Sequence, residues 1–181
     1  NDVETPAVSE KQSSRPEKSA QRFVWLADFL ARLQDEQVLV KTDPLLLSPA
    51  HCIQLANQDW GGVARVAAEF GCRWAGIWGD ELGEILRVRS CLEYQGDHIV
   101  LVTDLPFNQA RLASHTVYFP AANRMERHLH DMLGCEFLDH PDSRRWTRHR
   151  AWPAESFPLR AAFPLFDASA KTTAADSKYP F

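Results

Sequence analysis

The stretch from Glu126 to Arg145, ERHLHDMLGCEFLDHPDSRR, packs acid, base and imidazole groups closely together. Three chemistries are compatible with such a set: a metal site, an acid/base site, or a surface that grips another protein. Glu126 and His130 are four apart, as are Arg127 and Asp131. On a helix each such pair meets on the surface and can hydrogen-bond or pair ionically, for tenths of a kcal/mol. His128 and His130 are two apart and point roughly 200° from one another on a helix, so a regular helix cannot aim both at one ion. His130 could join Cys135 or His140 only if the chain folds back after Gly134. Zinc usually takes pre-spaced ligands such as H-E-x-x-H or paired C-x-x-C, and neither spacing occurs. A small zinc enzyme using His128, His130 or His140 stands as the alternative from another class.

Nucleophilic chemistry has less support. Ser114 and His115 are adjacent, which does not align their reactive atoms, and there is no G-x-S-x-G elbow. Cys52, Cys72, Cys91 and Cys135 form no C-x-x-C pair and read as reduced, small buried hydrophobes. An iron–sulfur cluster held by these four alone is not expected.

From Asp139 to Leu165 the chain carries Arg144, Arg145, Arg148, Arg150 and Arg160, interleaved with Trp146, Trp152, Phe157 and Phe163. Prolines at 141, 153, 158 and 164 deny this arm a regular helix or ladder. A long irregular arm is usually functional or disordered, and large aromatics want burial. Arginine and tryptophan are enriched where interfaces concentrate their energy, so the arm reads as a segment laid across a partner protein. Nucleic acid is the competing partner. The net charge of -4 and pI of about 6.0 argue against it.

The elements that position these groups follow from patterning. Residues 1–18 are polar and expected to be a disordered tail. Phe23, Leu26, Leu30 and Leu33 recur at helical spacing after a potential N-cap at Ser19, which predicts a helix over 20–35. Val38–Thr42 alternates as a short strand. Ser48-Pro49 reads as a cap and first position, predicting a helix that runs to Phe70, interrupted near Gly61-Gly62 and ended by Gly71. Arg73–Trp78 reads as a strand. In Glu84–Tyr94, Leu86, Val88, Leu92 and Tyr94 face one way and Arg87, Arg89 and Glu93 the other, the pattern of a half-buried strand. Gly96-Asp97 makes a turn and His98–Leu105 returns, closing an antiparallel hairpin. Pro120 opens a helix to Leu133 with Met125, Leu129 and Met132 as its buried stripe, and the chain after Gly134 is irregular. The predicted fold is α+β: two layers, helices packed on a largely antiparallel sheet, with a C-terminal irregular arm.

The 181 residues, 45% of them hydrophobic, suit one domain with tails. No apolar run approaches the roughly 18 residues that cross a bilayer, and no leader suggests secretion. Residues 166–181 read as a linker ending on Tyr179-Pro180-Phe181, as if something further followed.

The ordered set Glu126-Arg127-x-x-x-Asp131-Met132-x-Gly134, Phe137, His140-Pro141-Asp142-x-Arg144-Arg145, Trp152 and Pro158-Leu159-Arg160 resembles the signature of the hydrophilic 30-kDa (C) component of respiratory NADH:quinone oxidoreductase, complex I. Pro120-Ala121-Ala122-Asn123 fits the approach to it. Arg144-Arg145-Trp146 and Ala151-Trp152-Pro153 resemble the branch found in membrane-bound [NiFe] hydrogenases and formate hydrogenlyase, where this domain is fused ahead of a catalytic domain. Lys178-Tyr179-Pro180-Phe181 resembles the first residues of that second domain. The likeness covers roughly residues 20–165, the N-terminal half by layout more than by motif. Departures fall at His128, where an acidic residue is usual, at Ser143, and at Ala161-Ala162, which replace a basic and acidic pair.

The resemblance implies a domain like the complex I 30-kDa component over 19–165, with its extended arm at 135–165. Its implied role is structural: a non-catalytic assembly domain of a hydrogenase or formate hydrogenlyase large subunit, or alternatively the 30-kDa component of an NADH:quinone oxidoreductase. It implies no cofactor in this domain, with a nickel–iron centre and iron–sulfur clusters in a further domain or in partner subunits. The implied partners are a D-like catalytic domain and B-like and iron–sulfur subunits, with the membrane reached only through the complex, on its cytoplasmic side. The residues carried over as partner contacts are Glu126, Arg127, Asp131, Gly134, His140, Pro141, Asp142, Arg144, Arg145, Trp152, Leu159 and Arg160.

Overall fold

The structure, a computed structural model, describes residues 24–41, 45–47, 50–148, 152–153 and 155–164. The expected Ser19 cap, the 1–18 tail and the 166–181 linker lie outside them.

Alternation along the middle of the chain builds a three-stranded meander, β3 (Arg73–Leu82), β4 (Ile85–Tyr94) and β5 (Asp97–Pro106). Gln95 and Gly96, both with positive φ, form the two-residue turn of its second hairpin, one residue earlier than the expected Gly96-Asp97, because Asp97 already pairs with Tyr94. Two further strands, β1 (Leu45–Leu47) and β2 (Ala50–Gln54), complete a five-stranded sheet of order β1-β2-β5-β4-β3. Every neighbouring pair is antiparallel except β2–β5, which is parallel.

Helices α1 (Val24–Asp35), α2 (Trp60–Phe70) and α3 (Asn123–Leu133) cover one face. Their apolar residues form a single core with Leu86, Val88, Leu92, Ile99, Leu101 and Leu105 of the sheet. Trp25, Phe29, Phe70 and Tyr94 stack at one end of it. The predicted α+β, two-layer, largely antiparallel fold is the fold observed.

Four further expectations are corrected. Residues 50–54 are strand, not helix, because β5 supplies a ladder partner from Ala50↔His98 to Gln54↔Val102. Helix α2 therefore begins only at Trp60, with Gly61-Gly62 inside its first turn, and it ends as expected at Gly71. The strand expected at Val38–Thr42 reduces to an isolated bridge between Val40 and Leu55, Thr42 lying outside the described residues.

The buried stripe of α3 contains Glu126, Leu129 and Leu133, while Met125 is 42% exposed. Gly79 on β3 explains the orientation: a Cβ there would lie 2.9 Å from Leu133 and 3.0 Å from Leu129, so the helix seats where the strand has no side chain. Finally, the chain after Gly134 is not wholly irregular. Glu136–Leu138 forms β7, which pairs in parallel with β6 (Arg111–Ala113) in a small second sheet.

Candidate functional site

Helix α3 and the arm that follows it hold the charged groups of the signature, and the chain folds back on itself to do so. Gly134 ends the helix at φ 79, and its N–H donates to His130 O. A Cβ there would come within 2.6 Å of Arg160 Nη2 and 2.8 Å of Phe157, so the arm can close over the helix end only past a glycine. The last helical carbonyls, which lack intrahelical donors, are then capped by the arm. Leu159 N–H donates to Met132 O at 3.1 Å, and Arg160 Nε donates to Leu133 O at 2.8 Å. The Arg160 guanidinium lies over Phe157 at 4.3 Å and over Phe107 at 4.5 Å.

Glu126 is fully buried. It accepts from Ser114 Oγ (2.5 Å), Thr116 Oγ1 (2.8 Å) and His115 N–H (2.7 Å). His140 Nε2 is 3.7 Å away. Burial pushes this carboxyl above its ordinary value, against the pull of those donors. His140 donates through Nε2 to Asn123 O at 3.2 Å and accepts the Asp142 N–H at Nδ1, a pattern that assigns the neutral Nε2–H tautomer.

Asp131, also fully buried, gathers the arm's backbone: Oδ2 accepts the N–H groups of Trp146 (2.8 Å), Thr147 (2.6 Å) and Arg148 (3.2 Å). Desolvation raises its pKa, but these N–H groups, with Arg148 Nε 3.8 Å from Oδ1, outweigh it and hold the carboxyl below its usual range.

Arg127 ties the turn together. It donates to Arg144 O (2.6 Å), Asp142 Oδ2 (2.8 Å) and Arg145 O (3.1 Å). Asp142 also accepts from the Arg144 guanidinium at 2.9 and 2.8 Å, and that hydrogen bond is the main reason its carboxyl sits far below the usual range. Arg145 donates to Trp152 O at 2.9 Å, and Arg148 donates to Pro153 O and Ser156 O. The i,i+4 pairs expected within the helix are not formed. Glu126 and Asp131 turn inward to partners 10–17 residues away, and His130 meets Cys135 O instead.

The twelve signature residues thus divide. Glu126, Arg127, Asp131, Gly134, His140, Asp142, Arg145 and Arg160 spend their polar groups or their space within the chain. Pro141, Trp152 and Leu159 are exposed, and the Arg144 side chain keeps 83% of its surface. Sequence reasoning missed Ser114, Thr116 and Arg148 as members of the cluster. The available signal was Glu126 itself, a charge in line with Leu129 and Leu133 on an apolar stripe, which has to find buried partners.

The chemistry open to this arrangement is restricted. Among the described residues no three His, Cys, Asp or Glu side chains gather as for a metal. Cys52 and Cys91 flank Val100 on the sheet face away from the helices, whereas Cys72 and Cys135 follow α2 and α3, so the four do not fit one cluster. Burial pushes the Cys72 thiol up to about 12 and Cys135 higher still, which leaves neither a useful thiolate. His115, stacked on Trp60 at 4.7 Å and next to Ser90 Oγ, is pushed down to about 4 by burial and is a neutral core residue. No helix among the described residues is long and apolar enough to cross a membrane.

Comparison with known proteins agrees with this geometry. The family model described as respiratory-chain NADH dehydrogenase, 30 Kd subunit, matches residues 49–169. The C-type subunit of the NADH-quinone oxidoreductase of Hyphomonas neptunium is 36% identical over 74 residues, covering 41% of this chain and 36% of its own. NADH dehydrogenase (ubiquinone) iron–sulfur protein 3 of Oryza sativa is 42% identical over 55 residues, 30% of this chain and 28% of its own. The matched part thus spans about a third of the length of these relatives. In fold, the chain is similar to the trypsin-resistant fragment of Nqo5, with TM-score 0.50, 21% identity, and coverage of 65% of this chain and 98% of that one. It is also similar to a chain of the membrane-bound sulfane sulfur reductase, an archaeal respiratory membrane complex, with TM-score 0.52, 17% identity, and coverage of 64% and 71%. With the family match running through β2, the meander, α3 and the arm, this chain belongs to the family of the 30-kDa subunit of respiratory-chain NADH dehydrogenase.

Proposed function

We propose that this chain is a structural and assembly subunit of a respiratory complex of the NADH:quinone oxidoreductase type. On this reading it holds D-like, B-like and iron–sulfur subunits together and leaves electron transfer to cofactors in its neighbours. The observation that carries the reading is the family match across α3 and the arm. The arm's build supports it. Most of its charged groups are spent within the chain, on α3 or on the arm itself, while Trp152, Leu159 and the Arg144 side chain, paired among the described residues only with Asp142, stand on the surface, the residue types and placement suited to an anchoring contact.

A second reading places the same domain at the head of a hydrogenase or formate hydrogenlyase large subunit. Arg144-Arg145-Trp146 and Ala151-Trp152-Pro153 favour it through their resemblance to that branch. There the nickel–iron centre would belong to the following domain.

Affinity purification of the tagged chain from its source cells tests both. Quinone-reductase subunits among the co-purifying proteins support the first reading, and a nickel–iron hydrogenase small subunit supports the second. A chain that emerges alone, or with a stoichiometric metal or cluster of its own, refutes both. Arg144→Ala is expected to leave the domain folded and to reduce partner recovery.

A further inference from the structure

The small sheet β6–β7 has an open side. Glu136 N–H donates to Ala110 O at 2.8 Å, and Ser114 N–H donates to Leu138 O at 2.9 Å. In a parallel ladder with the register Arg111↔Glu136 and Ala113↔Leu138, those bonds turn the N–H and C=O groups of Arg111 and Ala113 away from β7. Among the described residues these main-chain groups have no hydrogen-bond partner.

All three residues of β6 line a cleft of about 630 Å³. Its other walls are Asn57 and Gln58, from the turn after β2, and Asn108 and Gln109, from the turn after β5, with Leu138 at one end. The four carboxamide side chains are on exposed residues, and those of Gln58, Asn108 and Gln109 make no hydrogen bond among the described residues. Carboxamides both donate and accept, as a peptide main chain does. The one guanidinium, Arg111, is already paired with Glu136 at 2.8 Å.

We propose that the free edge of β6 takes up an extended, uncharged polar segment of a partner subunit as a third strand, its main chain bonded to Arg111 and Ala113 and flanked by the carboxamides of the cleft. Two-stranded sheets are marginal in water and gain from a third strand, and unpaired edges are the usual template for strand addition. The neutral walls select against a charged segment, because burying an unpaired charge among amides is costly. The inference rests on the reading of the chain as an assembly subunit.

Hydrogen exchange at the Arg111 and Ala113 amides, compared between the free chain and the assembled complex, tests it. Both amides are expected to exchange fast in the free chain and to slow on the order of tenfold or more in the complex. Gln109→Trp, a surface substitution that fills the cleft, is expected to keep the fold, restore fast exchange at these amides and lower partner recovery. A complex that forms with the two amides still fast overturns the strand inference and leaves the assembly reading standing. Protection already present in the free chain, from its own segments or a second copy, also overturns it. If no complex is recovered at all, the assembly reading itself fails, and this inference with it.

Discussion

The two halves of the molecule are held by different physics. The sheet with α1 and α2 is bound by apolar burial: Phe29, Leu33, Ile53, Trp60, Leu92, Ile99 and Leu101 have essentially no exposed surface. The α3–arm half shares that core through Leu129 and Leu133, but its arm is held by buried carboxylates, Glu126 and Asp131, that collect donors from distant turns. Apolar burial is non-directional, tolerates swaps of similar volume, and is felt across the whole core. A carboxylate satisfied by three specific donors is directional, and removing it strands each donor. The first half is therefore expected to unfold as one unit, and the second to loosen locally at the arm while the sheet persists.

The largest effect should come from breaking the apolar half. Phe29→Ala is expected to cost about 3–5 kcal/mol and to lower protection everywhere together, as read by denaturant titration and hydrogen exchange. Sheet amides left unaffected would contradict the single-core description. Next comes Asp131→Ala, which strands three backbone N–H groups for about 2–4 kcal/mol. Its signature is local: the amides of Trp146, Thr147 and Arg148 lose protection while Leu92 and Leu101 keep theirs. A uniform loss would mean the arm and the core are one cooperative unit. Gly134→Ala should cost about 1–3 kcal/mol, because an L side chain at φ 79 is strained and its Cβ meets Arg160 and Phe157. Weakened capping at Leu159 and Arg160 would appear in the same exchange map.

Acid separates the two buried carboxylates. Asp131 titrates below its ordinary value of 3.8 in the folded chain, so its contribution is present above that pH and is lost as pH falls through the lower folded value. Glu126 is shifted upward from 4.5, so its sign is opposite: stability declines as pH rises from 4.5 through the higher folded value. As pH falls below 3.8 towards the lower folded value of Asp131, the arm amides should open before the Ser114–Thr116 turn. Asp131→Asn should blunt that step and Glu126→Gln should not. The smallest stability effect belongs to Arg144→Ala, for which only a slight drop in the unfolding midpoint is expected, since its pair with Asp142 is exposed to solvent and Arg127 still neutralises Asp142. A large shift would move Arg144 from display to bracing.

Legibility in the sequence followed this division. The β4–β5 hairpin, the two glycine helix ends and the α+β layering were readable because their signals are local: alternation, turn residues and caps. Ala50–Gln54 misled, since Ser48-Pro49 is a good local helix start and the pairing that makes it a strand comes from His98–Val102. The charged helix face misled in the same way. The i,i+4 spacing of Glu126–His130 and Arg127–Asp131 is a genuine local option, but a buried carboxylate is better satisfied by hydroxyls and N–H groups brought from elsewhere in the chain.

The sequence by itself determined the family, through an ordered signature from Glu126 to Arg160. It also determined the layered fold, through periodicities of two and of 3.6. Only the tertiary structure decided the roles of the charged groups: which brace the arm to α3, which remain on the surface, and where a sheet edge stays open beside a polar cleft. Spacing along a chain reports neighbours within a turn or a strand, whereas hydrogen-bond partners and exposure are set by segments that meet only after folding.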